Sequence, residues 1–125
     1  MNDLDLIWNR AAMDNGGLTP GPGDFALSAL LYAHGLAMNG GVLHAVELLS
    51  PTELAKAQSG YRFFGLVAIS DLLRDAWLLV RDGADLGSHE QRLDAEYMMH
   101  ANDSALTVRF EQYYLLHPSD FAPTV

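Results

Sequence analysis

From Asp3 to Met13 the apolar residues fall at Leu4, Ile7, Trp8, Ala11 and Ala12. That is the i, i+3, i+4 spacing of one helical face, and Asp3 is placed to cap it. The chain then runs through Asp14-Asn15-Gly16-Gly17-Leu18-Thr19-Pro20-Gly21-Pro22-Gly23, whose four glycines and two prolines predict a loop. Asp24 reads as the next N-cap. From Phe25 to Met38 the sequence is apolar almost all round, which predicts a central helix. Asn39-Gly40-Gly41 closes it, because glycine and asparagine tolerate the left-handed backbone that ends a helix. Val42, Leu43, Val46 and Leu49 then share one face of a short helix, so the double glycine predicts a corner between two helices.

Ser50-Pro51-Thr52-Glu53 combines a capping serine, a proline at the first helical position and a glutamate three residues after the cap. The helix it starts runs through Leu54, Ala57 and Tyr61 toward Phe64, with Gly60 weakening its interior and Gly65 marking its end. Leu66 to Val80 follows with an apolar stripe at Leu66, Ile69, Leu73, Ala76, Trp77 and Val80, and with Ser70, Asp71, Arg74 and Asp75 opposite. After a turn-rich segment from Arg81 to Gly87, Ser88-His89-Glu90-Gln91 repeats the capping pattern. The next helix, His89 to His100, is expected to bury Leu93, Tyr97 and one of Met98 or Met99. Asn102-Asp103-Ser104 punctuates, a last helix runs from Ala105 to about Leu116, and Phe121 is expected to tuck back. No segment sustains period-two alternation. The expected fold is all-α: one compact domain over residues 1–125 with about six or seven helices. Residues 1–23 form an N-terminal helical arm and loop, and 24–121 form the core.

Composition narrows the function. The chain has 125 residues, no cysteine, and 16 acidic against 7 basic residues, a formal net charge of -9. Disulfides and thiolate metal sites are therefore excluded. Direct binding to nucleic acid is disfavoured, since that affinity comes largely from Lys and Arg neutralising phosphates, and anionic membranes are disfavoured for the same reason. The acidic N-terminus and the lack of a long uninterrupted apolar run lead to the expectation of a soluble cytoplasmic protein.

Candidate chemistry is sparse. Asn39-Gly40-Gly41 has no lysine nearby and follows a helix, so it lacks the context of a phosphate-binding loop. His89, Glu96 and His100 can share one helical face and begin a metal site, which makes a small metal-dependent hydrolase or ligand-binding bundle the alternative reading. No catalytic constellation is recognisable, and no metal or cofactor is expected. His34, on an apolar helix, reads as a core histidine with both ring nitrogens paired internally. The acidic pattern is more informative: Asp71, Asp75, Asp82, Asp85, Glu90, Asp94 and Glu96 face only Arg74, Arg81 and Arg92 in the same segment. If the two helices flank their loop as an antiparallel pair, these carboxylates gather along one rim able to steer a basic protein.

The order of several features resembles a known family. Asn39-Gly40-Gly41 opens an apolar helix, Leu93-Asp94 is followed by Tyr97, and Tyr113-Tyr114 precedes His117-Pro118 and Phe121. Over about residues 24–121 this is similar to an all-helical family of uncharacterised bacterial domains that includes an acidic DNA-mimic protein. Val42, His44 and Ala45 stand where that family places aromatics. The resemblance implies a non-enzymatic domain, with a homodimer among its expected states. From the mimic member it implies occupation of a transcription regulator's DNA-binding surface. The expected partner is thus a basic protein, either a DNA-binding regulator or a toxin.

Overall fold

The computed structural model describes residues 2–124, and within them the fold is all-α, with no strand. Seven α-helices follow one another: α1 (Asp3–Met13), α2 (Pro22–Gly40), α3 (Val42–Leu48), α4 (Pro51–Phe63), α5 (Val67–Arg81), α6 (Glu90–Ala101) and α7 (Asp103–Leu116). Short 3-10 turns at Leu86–Ser88 and Pro118–Asp120 precede α6 and follow α7. Among the described residues no helix is long and apolar enough to cross a membrane.

The centre is α2, which packs against α1, α3 and α4. It buries Ala26, Leu27, Leu30, Ala33, His34 and Ala37, yet Phe25, Tyr32 and Met38 on its other side are exposed. The expectation of a helix buried all round is thus corrected: α2 is central on one face only. At its end Gly41 takes φ +94, a backbone that side-chain-bearing residues rarely adopt, and the chain turns there into α3. Asn39-Gly40-Gly41 is the expected corner between two helices. Gly60 has a different role from weakening its helix. A Cβ there would stand 2.5 Å from the Ala26 carbonyl oxygen, so glycine lets the backbones of α2 and α4 touch.

The capping box of α4 is present as read: Ser50 Oγ accepts the Glu53 N–H at 3.1 Å and Glu53 accepts the Ser50 N–H at 2.9 Å. Other caps fall elsewhere. Asn2, not Asp3, caps α1 by accepting the Asp5 N–H at 2.9 Å. Asn102 caps α7 through Ala105 N–H, so that helix starts before Ala105. Ser88 closes the 3-10 turn by donating to the Asp85 carbonyl and does not cap α6. Ser70 is fully buried, receiving a hydrogen bond from Arg62, whereas the pattern put it on the polar side of α5. Met98 and Met99 are both exposed; Leu93, Tyr97 and Ala101 are what α6 buries.

Two buried polar clusters tie the helices together. Asp24 lies inside α2, three residues after the Gly21 cap, and is completely buried. Its Oδ1 accepts from Arg10 at 2.8 Å; its Oδ2 accepts the backbone N–H groups of Gly21 at 2.9 Å and Ala122 at 2.7 Å. Arg10 also donates to the carbonyls of Ala122 and Pro123. One carboxylate therefore joins α1, the start of α2 and the C-terminal tail. Phe121 is buried, as expected, against Gly23 and the rings of Phe110 and Tyr114. The arm α1 folds back on α2 through Ile7 and Ala11.

Candidate functional site

The second cluster, buried except for Asp103, whose side chain is 81% exposed, has the outline of a catalytic relay. Asp103 accepts from His34 Nε2 at 2.7 Å, His34 Nδ1 lies 2.7 Å from the Tyr97 hydroxyl, and that hydroxyl lies 2.5 Å from the Tyr61 hydroxyl. A carboxylate, an imidazole and a hydroxyl in line is the order used to activate a nucleophile. Here the hydroxyl end is sealed: Tyr61 and Tyr97 are both buried. Burial first, then the adjacent Tyr97, push the Tyr61 hydroxyl well above its ordinary range. Burial likewise raises Tyr97, partly offset by the hydrogen bond from Tyr61, with the Asp103 charge raising it further. Hydroxyls held so firmly in the protonated form are poor nucleophiles at neutral pH. The chain of bonds is a core fastening between α2, α4, α6 and α7. His34 is the internally paired histidine the pattern suggested.

The histidines of the alternative reading do not converge. Among the described residues no group of three His, Asp or Glu side chains is placed to hold a metal. His89 Nδ1 lies 3.0 Å from Arg92, and Glu96 lies 4.0 Å from the same arginine.

The seven acidic positions divide into three sets. Asp71 and Asp75 flank Arg74 at 3.8 and 3.5 Å, Asp82 lies 3.0 Å from Arg81, and Glu96 pairs with Arg92. These contacts link near neighbours in sequence and are exposed, so each stabilises by only about 0–1 kcal/mol. Asp94 has an architectural part. Its Oδ1 accepts the Val42 N–H at 2.9 Å, satisfying the first amide of α3 across from α6, and both its oxygens lie close to Gly41. Asp85 and Glu90 have no ion-pair partner among the described residues and are exposed.

The spatial grouping is narrower than a rim of seven. Glu90 and Asp94 line one shallow hollow with Gly87, Gln91, Ala95 and Met98, and Asp85 reaches toward Gly87 from the preceding turn. Glu90 and Asp94 thus share one place on the first turns of α6, and Asp85 lies in the turn that leads into it. Glu96 is turned about 160° round α6 from Asp94, so it faces away from them. Asp71 lies about three turns, roughly 16 Å, before Asp82 along α5. The chain's charge balance could not reveal this division, because it depends on which arginine each carboxylate meets.

One surface hollow was missed by the sequence pattern altogether. Between α2 and α4 a groove of about 820 Å³ is lined by Pro22, Phe25, Ala29, Ala55, Lys56, Ser59, Gly60 and Phe63, among others. The apolar composition of α2 concealed it by suggesting burial on every side. The small residues on facing turns of α2 and α4, together with Gly60, were the available signal.

No protein-family model, no curated protein and no solved structure matches this chain.

Proposed function

We propose that the protein is a non-enzymatic binding protein whose acidic surface, centred on Asp85, Glu90 and Asp94 at the start of α6, docks a basic surface of another protein. The observation that carries this reading is the set of carboxylates left over at that place. Arg74, Arg81 and Arg92 are already engaged by Asp71, Asp75, Asp82, Glu96 and His89. Asp85 and Glu90 remain unpaired among the described residues, beside a carboxylate fixed in place by the α3 amide. Fixed, solvent-facing negative groups on a chain of net charge -9 raise the encounter rate of a cationic partner and fix its orientation. The resemblance to the family with a DNA-mimic member points the same way. A DNA-binding regulator and a toxin both present such a basic surface.

The test is capture of partners from the native cell by the immobilised protein, followed by elution with salt. Partners with basic surfaces should elute early, and the variant Asp85→Asn/Glu90→Gln should retain less of them. Partners that resist salt, or that bind the variant equally well, would refute the proposal.

A further inference from the structure

The α2–α4 groove shares no lining residue with the acidic hollow, and its chemistry is the opposite. Its surface is predominantly apolar, with Phe25 standing 62% exposed at its edge. A second hollow of about 470 Å³ continues it past Tyr32, and the two share Phe25, Ala29 and Lys56. From Pro22 to Tyr32 the trough follows ten residues of α2, about 15 Å of helix rise. That suits a narrow, extended molecule better than a globular one.

Lys56 sits where the two hollows join. It is the sole lysine of a chain with sixteen acidic residues, yet it has no ion-pair partner among the described residues. Glu53, three residues earlier on α4, is the natural intrahelical partner, but its carboxylate turns back to cap the helix at Ser50. An exposed, unpaired ammonium at the mouth of a mainly apolar groove, beside a more polar hollow that Glu53 also lines, is complementary to a single negative group carried on an apolar body. A second copy of the chain fits less well, because a two-fold contact over this face would bring Lys56 toward its own counterpart.

We infer that this groove binds a straight-chain aliphatic carboxylate, its tail lying along Phe25, Ala29 and Phe63 and its carboxylate meeting Lys56. The pair of unlike charges sets the polarity of binding, and the small side chains at Ala29, Ala55 and Ser59 leave room for the tail.

Decanoate, decanol and decylammonium serve as probes, titrated into the full chain with calorimetry and amide NMR shifts as readouts. Decanoate should bind at one site and shift amides of α2 and α4. Lys56→Met should weaken decanoate by about tenfold, the scale of one lost charge-assisted hydrogen bond, and leave decanol unchanged. Lys56→Glu, an exposed position expected to fold normally, should abolish decanoate binding and favour decylammonium. Ala55→Trp should block all three by filling the groove. The inference fails if decanoate does not saturate, if it binds the Lys56 variants as tightly as the parent, or if its shifts map elsewhere. It also fails if the free protein self-associates through this face, read as a dimer in sedimentation that Ala55→Trp disrupts.

Discussion

Asp24 and Asp85 are the same residue type in opposite circumstances. Asp24 is enclosed, with its oxygens occupied by the Arg10 guanidinium, the distant Ala122 amide and the local Gly21 amide. Asp85 stands on the surface between α5 and α6 with no cation facing it among the described residues. The first shows what a carboxylate does when the fold requires it: it joins three segments, alongside the bonds from Arg10 to the Ala122 and Pro123 carbonyls. The second shows what is left when the fold makes no such demand. An acidic chain therefore holds two populations of negative charge, and only the second is available to another molecule. Asp94 lies between them, with one oxygen committed to α3 and the other turned toward Gly41.

The sharpest way to break this contrast is at the enclosed end. Asp24→Ala leaves Arg10 without its anion and strips the acceptor from two part-buried amides. The expected loss is about 3–5 kcal/mol in urea unfolding, the range for a broken buried pair. A loss below about 1 kcal/mol would place Asp24 with the surface carboxylates. Tyr97→Phe tests the other buried cluster. It leaves His34 Nδ1 and the Tyr61 hydroxyl facing a ring edge, and should destabilise by about 1–3 kcal/mol.

The same cluster has a pH signature. Both Tyr61 and Tyr97 are held protonated above their ordinary range. Below pH about 10, the unfolded value, folded and unfolded chains keep these protons alike, and stability does not depend on them. Above it the unfolded chain releases protons that the folded chain retains, so stability should fall as pH rises. Ultraviolet titration of the five tyrosines should show two that ionise only with unfolding. All five titrating together near pH 10 in folded protein would contradict the sealed cluster.

Smaller effects sharpen the boundary between the populations. Asp94→Ala removes the acceptor for the Val42 N–H and should cost about 1 kcal/mol, as a lost helix cap does. Asp85→Asn with Glu90→Gln should change stability by no more than about 0.5 kcal/mol.

Much of the helical order follows from local patterns. The α4 box at Ser50 and Glu53, the corner at Gly41 and the bounds of α1 rest on neighbours three or four residues apart, which a linear reading can follow. The misread positions depend on distant partners. Asp24 looked like the N-cap, whereas Gly21 is the N-cap and Asp24 accepts its N–H from the third helical position; Arg10 and Ala122 meet it only once the chain has folded. Ser70 looked polar and exposed because Arg62 comes from another helix. Glu96 looked like a neighbour of Asp94 in the acidic row, although helical rotation carries it to the opposite side. The groove stayed hidden because apolar residues along α2 describe a buried helix and an exposed trough equally well. For function, the pattern supplied the acidic segment, and folding left Glu90 and Asp94 beside one hollow with Asp85 in the turn before it.

The most direct test of the central claim compares a captured basic partner's affinity for the parent protein and for Asp85→Asn/Glu90→Gln, at about 0.05 and 0.3 M salt, where screening differs strongly. The account predicts that the double variant folds with unchanged stability, binds at least about tenfold more weakly at low salt, and loses much of the parent's salt dependence. Equal affinity and an equal salt dependence for the two proteins would contradict it.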